Sequence, residues 1–466
     1  MDMAIGTVWR DEADSLGPVR VPADTAWGAQ TARAITLYPA QAGGRFGDYP
    51  ALLSSLIAVK RGAAATNAAI GALPADRARA IDAAGQKALS VPALHFPVHA
   101  LHGGGGVSFN MNVNEVLANL ANRDGFGRAF GSYDPIHPND HVNLNHSTSD
   151  AFSTASHIAA RHVWAGLGAQ IAGLIADLRG LCEAWGAQRK LARTCLQDAV
   201  DIRFGDYLGG VVANLQCGLD RAQSDALALR RVNLGGNIIG RSQDCDPAFF
   251  ARAIDDLNRV LSDGGLPADL TRSDDLFAAS QAHEGLLNLA ATLEQLARGL
   301  IRFAKDLRLM ASGPHCGLSE LRLPAVQPGS SAIPGKINPT LPEFMIQMAM
   351  TACGRAAAIR MTQDHGELDY SPWQSVVIVN LLDMMALLDG GIASLRRHCV
   401  QGMLPDAARN DANADSLLPL LIRLKQVAGY SAATGIAKQA GGDLAVIRQH
   451  IARLSEPHND KEGTRR

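Results

Sequence analysis

Between positions 286 and 307, Leu286, Leu289, Leu293, Leu296, Leu300, Phe303 and Leu307 recur every three or four residues. A heptad-like stripe kept for three repeats fits one face of a long helix. Ala290, Ala297 and Ala304 run beside it and let a neighbouring helix approach closely. Residues 155–185 are similarly rich in Ala and Leu, and 343–361 and 373–398 supply further long apolar helices. A helix of about thirty residues is about 45 Å long. Several of that length form a long bundle with more apolar face than one chain covers, so oligomerisation is expected.

One run in this set, 376–388, raises the question of a membrane. Asn380 and Asp383 break it, and it is too short to cross a bilayer, so it reads as a buried core helix. Apolar content of 47% against 19% charged describes a globular chain with ample core, and 466 residues allow about three domains. A net charge of −2 provides no general attraction to nucleic acid or an anionic membrane. The seven cysteines are scattered without a CxxC, which reads as reduced thiols in a cytoplasmic protein rather than disulfides or a zinc site. The first residues lack a basic region followed by an apolar run, so no secretory signal is expected. Residues 17–24 read as extended chain and 51–71 as a helix, with loops at 103–106 and 134–150. Two short helical patterns follow position 403, then a charged, frayed end from Ser455.

Four polar segments interrupt the Ala/Leu background. The first is His102-Gly-Gly-Gly-Gly-Val-Ser-Phe-Asn-Met-Asn-Val-Asn-Glu115. Consecutive glycines let backbone N–H groups crowd an anion, with a helix N-terminus behind them; a flexible turn would use the same residues. The second is His137-Pro-Asn-Asp-His-Val-Asn-Leu-Asn-His-Ser-Thr-Ser-Asp150. Ser147, Thr148 and Ser149 fall near a helix start, where hydroxyls either cap the helix or accompany N–H groups facing an anion. Pro138 and the Asn/Asp content oppose the helix that would align His137 with His141, so no metal site is expected. The third, Ala192-Arg-Thr-Cys-Leu-Gln-Asp-Ala199, is a polar island beyond a long helix, with Thr194 and Cys195 available to line a pocket.

The fourth, Gly329-Ser-Ser-Ala-Ile-Pro-Gly-Lys-Ile-Asn-Pro-Thr340, carries the most chemistry. It sets two hydroxyls, a Lys and an amide on a loop stiffened by Gly and Pro, suited to holding a carboxylate. A Walker phosphate loop fails on spacing: five residues separate Gly329 from Gly335-Lys336, and Ile337 replaces the Ser/Thr that would hold magnesium. No G-x-S-x-G elbow and no HExxH occur, so acyl transfer and zinc hydrolysis lack support.

In order and approximate spacing these segments resemble the fumarase/aspartase lyases, with Ile333 where Met is usual. Similarity extends over 21–33, 311–320 and 429–438, covering nearly the whole chain. The resemblance implies a mainly α fold. An N-terminal domain (1–146) would precede a long central bundle (147–402) and a small helical C-terminal domain (403–466). It also implies a homotetramer whose active sites draw on three subunits, a small dicarboxylate substrate and no cofactor. Ser330 would be the general base, and Lys336 and Asn338 would hold the carboxylate beside the carbanion, with Ser331 on the same loop. Ser147, Thr148, Ser149, Thr194 and Cys195 would line the substrate, with Gly105, Gly106 and Val107 approaching through backbone. His137, Asn139 and Asp140 would form a second anion site, and Glu343 matches a glutamate that supports a histidine in fumarases.

The chain departs from the family at Cys195 (usually His), Val107 (Thr), Ser149 (Asn), Leu144 (Lys) and His315 (Arg). The flanks Asp150-Ala-Phe152, Gln197-Asp-Ala-Val200 and Pro342-Glu343 lean toward aspartase. A protonated amine also leaves without a strong acid, so the expected reaction is carbon–nitrogen cleavage of a substituted succinate. A fumarase-type carbon–oxygen lyase, a lyase or isomerase of an unusual dicarboxylate, and a non-catalytic member are the alternatives. His146 could replace the missing acid or serve as a capping or core residue.

Overall fold

Every long helix expected from the apolar period forms, and the Leu stripe is buried along its whole length, no member more than 4% exposed. The computed structural model describes residues 8–39, 43–90 and 95–455, so the expected frayed end lies almost wholly outside the described residues. The chain opens with an antiparallel hairpin, β1 (Trp9–Asp14) and β2 (Gly17–Pro22). Among the described residues there follow α1 (Ala29–Leu37), α2 (Pro50–Ala69), α3 (Ala75–Ala88) and α4 (Val107–Phe126). Next come α5 (Thr148–Ala184), a second antiparallel hairpin of β3 (Arg189–Thr194) and β4 (Gln197–Arg203), and α6 (Phe204–Ala228). The central stretch continues with α7 (Pro247–Asp263), α8 (Leu276–Gln281), α9 (Glu284–Met310), α10 (Thr340–Met361) and α11 (Gln374–His398). Four short helices end it: α12 (Ala407–Ala414), α13 (Leu417–Ala428), α14 (Tyr430–Ala440) and α15 (Leu444–Ser455). The fold is mainly α, a helical bundle with small β-hairpins.

Three local expectations change. The tail holds four helices rather than two, because helices of 8 to 12 residues show too few turns for a distinct period. Gly429 and Gly441, at φ 78° and 56°, divide what reads as continuous pattern. Within the expected loop 134–150, Pro138–Val142 winds into one π-helical turn, with Pro138 at its first position, where a missing N–H costs nothing. The polar island at 192–199 is the tip of a β-hairpin, unforeseen because its two-residue turn is Cys195-Leu196 and not Asn-Gly.

The chain divides into two packed units, one of Met1–Gln170, Gly218–Arg298 and Met348–Gly390, the other of Ile171–Cys217, Gly299–Gln347 and Gly391–Arg466. In the first, α2 and α7 meet closely enough that a Cβ on Gly62 would stand 3.0 Å from the Leu257 Cα. Phe46 stacks on Phe109 at 4.0 Å, and Phe109 meets Phe152 edge-on. The start of α1 has no cap of its own. Buried Glu115 of α4 accepts from the N–H groups of Gly28, Gln30 and Thr31 at 2.9, 2.8 and 3.2 Å, tying the two helices together. α11 is long and apolar enough to cross a membrane by length and composition. Its Val377, Ile378, Leu381, Met384, Met385 and Leu388 are buried in protein. Arg355 reaches Asn380 and Asp383 at 3.1 Å each, as a core helix requires. In the second unit the β3–β4 hairpin packs on α12 and α13, and Leu420, Leu424, Ala433 and Ile447 centre the small C-terminal cluster. All seven cysteines are free.

Candidate active site

The Ser330 loop closes on itself through backbone. The Gly329 N–H donates to the Lys336 carbonyl at 2.8 Å, and Asn338 Nδ2 donates to the Gly329 carbonyl at 2.6 Å. A Cβ on Gly329 would stand 2.5 Å from the Lys336 oxygen, so this closure admits only glycine. Ser330 Oγ accepts from the N–H groups of Ala332 and Ile333 at 3.1 and 3.0 Å. Donors on the oxygen favour its anion over its alcohol, which is what a base built from serine needs. Ser330 and Lys336 line one open cavity of about 490 Å³, together with Ile333, Gly335 and Ile337. Ser331 is exposed on the same loop. Asn338 differs from expectation: it is not among the residues lining that cavity, and its amide braces the loop, pairing a Gly329 carbonyl that would otherwise stand alone.

Glu343 stands in the first turn of α10 and pairs with Arg308 of α9 at 3.1 Å. Its partner here is a guanidinium, not an imidazole. Cys195 and Thr194 are exposed at the tip of the second hairpin. Cys195 and Leu196 have φ 51° and 60°, the left-handed pair of a type I′ turn, in residues that adopt it with strain. The hairpin is anchored by Glu320, fully buried, which receives Arg193 at 2.7 Å, Lys190 at 3.3 Å and Asn413 at 3.2 Å. Burial lowers the Lys190 pKa and Glu320 opposes that shift. Nothing in the local sequence marks Glu320 as this anchor.

In the first unit the four glycines are a packed feature, not a slack turn. Gly104, Gly105 and Gly106 lie at φ 83°, 62° and 93°. A Cβ on Gly105 would collide with Tyr370, and one on Gly106 with the Phe152 ring. Tyr370 Oη donates to the Gly105 carbonyl at 3.1 Å. Gly106 caps α4 and Val107, partly exposed, opens it. Through Phe152 this loop lies against the first turns of α5, beside half-buried Ser147 and Thr148. Ser149 is turned away: its hydroxyl faces the carbonyls of Asn237 and Ile238, both at 2.6 Å, which removes it from the expected substrate-binding set. Asp150 binds the helix start to the 235–237 loop, accepting from Ser147, Gly235 and Asn237 N–H groups at 2.8, 3.0 and 3.0 Å. Burial raises its pKa to about 6 against those donors.

His146 is buried, and both ring nitrogens are engaged, Nδ1 beside the Leu144 carbonyl at 2.9 Å and Nε2 beside Lys60 Nζ at 2.8 Å. With both nitrogens occupied inside the protein, its surroundings are those of a core residue rather than of an acid facing a substrate. Lys60 was missed, although the sequence carries a signal. It stands on the face of Leu53, Leu56, Ile57, Ala63 and Ala64, where the period of α2 demands an apolar residue. Burial lowers its pKa to about 7.

At the π-helical turn, His137 Nδ1 accepts from the Asn139 and Asp140 N–H groups at 3.3 and 3.2 Å. The donors an anion would use there are thus occupied by the protein, which argues against the expected second anion site. The turn does bring His137 and His141 together, contrary to expectation, through a 2.8 Å bond from the His137 N–H to His141 Nδ1. No group of three or more His, Cys, Asp or Glu among the described residues could hold a metal ion.

A family model described as "Lyase" matches residues 17–354. The class II fumarate hydratase of Pseudomonas putida is 38% identical over 97% of this chain and 96% of its own length. That of Pseudomonas syringae pv. tomato is 38% identical over 94% and 93%. Among solved structures, a fumarate lyase:delta crystallin from Brucella melitensis superimposes with a TM-score of 0.89 at 33% identity, covering 96% of this chain and 99% of that one. A class II fumarase from Schistosoma mansoni gives a TM-score of 0.89 at 29% identity, covering 96% and 95%.

Proposed function

The chain belongs to the fumarase/aspartase superfamily of lyases, and on that premise we propose that it catalyses a reversible β-elimination across a carbon–oxygen bond. The substrate is a malate-like 2-hydroxy dicarboxylate, and the product fumarate or a close relative. The observation that carries the reading is the full-length similarity to class II fumarate hydratases, joined to a base loop whose serine and lysine share one cavity. It replaces the carbon–nitrogen cleavage expected from sequence. The flanks that leaned toward aspartase have structural duties: Asp150 ties the α5 start to the 235–237 loop, and Phe152 closes on Gly106. Neither speaks for the leaving group.

A proton beside a carboxylate is weakly acidic, because its removal adds charge to an existing anion. Ser330 Oγ, held by two N–H donors, removes it, and Lys336 stabilises the resulting dianionic carboxylate. The electron pair then forms the alkene as the β carbon–oxygen bond breaks, and the hydroxyl departs as water with a proton taken up from solvent. Thr148, Ser147 and Thr194 bind substrate oxygens. The same reading carries a homotetramer with active sites shared by three subunits. Exposed apolar side chains on α9 and α10, among them Leu309, Phe344, Met350 and Met361, support that assembly.

Purified protein incubated with fumarate, malate and substituted malates, and separately with aspartate and N-substituted succinates, tests the proposal through the ultraviolet absorbance of the alkene. Turnover within the hydroxy-acid set is expected. Conversion of an amine-substituted succinate with none of any hydroxy acid would overturn it.

A further inference from the structure

We propose that Lys60 and His146 are positioning residues for substrate binding: a buried amine–imidazole clamp that fixes where Ser147 and Thr148 present their oxygen-binding groups. The inference rests on the function proposed above and extends it to a pair that touches no substrate.

Lys60 is fully buried on α2, yet no carboxylate is in contact with it. Taking an amine out of water is costly unless its hydrogens find acceptors, and a packing role alone would be filled better by Leu or Met. The acceptors here all lie in the segment that leads into α5. Lys60 Nζ donates to Asn143 Oδ1 at 2.7 Å and to His146 Nε2 at 2.8 Å. The His146 tautomer follows, because Nδ1 must carry the proton that bonds the Leu144 carbonyl. The same Asn143 oxygen receives the side-chain amides of Asn110 and Asn114 from α4, at 3.1 and 3.2 Å. Asn143 Nδ2 returns to the His146 carbonyl at 3.0 Å, closing the segment on itself.

A second grip comes two turns along α2. Asn67 Nδ2 donates to the Leu144 carbonyl at 3.0 Å, and Asn145 Nδ2 donates to Asn67 Oδ1 at 2.7 Å. The four residues before Ser147 are therefore stitched to α2 at both ends. Asp150 fixes the other side by accepting the Ser147 N–H. Ser147 and Thr148 sit between these two restraints, half-exposed, with the only freedom the clamp leaves them. Losing the acceptor at His146 frees the residue immediately before Ser147. Losing Lys60 removes a donor from both ends at once.

A clamp acting through geometry makes distinct demands on the variants Lys60→Met, His146→Leu and His146→Gln. Gln keeps an oxygen within reach of Lys60, whereas Leu keeps only the volume. Steady-state kcat and KM on the turned-over hydroxy acid are measured, alongside direct calorimetric binding of succinate, a dicarboxylate with no leaving group. Lys60→Met and His146→Leu are expected to weaken succinate binding and raise KM by about ten- to a hundredfold, with kcat changed far less. His146→Gln is expected to recover most of that loss. Unaltered succinate affinity in His146→Leu, or a Gln variant as impaired as the Leu variant, would overturn the clamp. Should Lys60→Met fail to fold, the two His146 variants decide alone. Because succinate binding needs no turnover, a wrong assignment of the reaction leaves this test intact and shows itself separately, in the substrate panel.

Discussion

At the scale of single residues, the base loop makes the firmest demand. Ser330 accepts from two backbone N–H groups of its own loop, a geometry that both shapes the turn and favours the alkoxide over the alcohol. Ser330→Ala should therefore lower kcat by about 10²- to 10⁴-fold with the fold intact, read by steady-state kinetics beside circular dichroism. Turnover equal to the parent protein would remove Ser330 from the chemistry. Lys336→Met should lower kcat and kcat/KM together, because its charge is needed mainly when the carboxylate becomes a dianion. Both residues stand out in the sequence as candidates, since glycine and proline fix a loop locally. Lys60, Glu320 and the Arg308 partner of Glu343 were not identified. Each takes its role from a residue far along the chain, as Glu320 does from Lys190 and Arg193.

At the scale of elements, the second hairpin is one that sequence reading misses entirely. Its strands are short and mixed, and its turn lacks the glycine that a type I′ geometry favours. Two left-handed non-glycine residues persist there because the Glu320 anchor and the packing on α12 and α13 hold the strands. Replacing the pair with Asn-Gly (Cys195→Asn, Leu196→Gly) should raise stability by about 1 kcal/mol, seen as a higher denaturation midpoint in urea. An unchanged or lower midpoint would mean that the turn carries no strain. The helices α9, α10 and α11, by contrast, were readable to within a few residues, because an apolar period such as the Leu stripe of α9 is a local pattern repeated many times. The short C-terminal helices were not, having too few repeats.

At the scale of the whole molecule, buried histidines set the response to acid. Burial holds His102, His157 and His283 down to about 4, and His146 well below its ordinary value. The unfolded chain takes up these protons first as pH falls from about 6.5, so their contribution is present above that value and is lost towards pH 4. Each site contributes about 1.4 kcal/mol per pH unit across its window. Glu115 and Asp150, raised by burial to about 7 and about 6, act in the opposite sense, holding protons that the unfolded chain has released. His95 and His141 are lowered in the same sense, so six sites outweigh two and the denaturation midpoint should fall between pH 6.5 and 4.5; a rise would contradict the assignment. Assembly is the other property at this scale. Met350 and Met361, 52% and 64% exposed, interrupt the polar surface of α10. Light scattering on the purified chain should give a tetramer, and Met350→Glu with Met361→Glu should yield smaller species with little turnover. A monomer of full activity would refute the shared site.

The sequence by itself determined most of the long apolar helices, the Gly/Pro-stiffened Ser330 loop as a candidate site and the membership of a lyase superfamily, because each rests on residues near one another in the chain. Only the tertiary structure decided that Ser149 faces inward, that Asn338 braces its own loop, and that both His146 nitrogens are occupied within the protein. A side chain's chemistry depends on which donors and acceptors surround it, and for these residues the deciding partners were set by packing, not by local pattern.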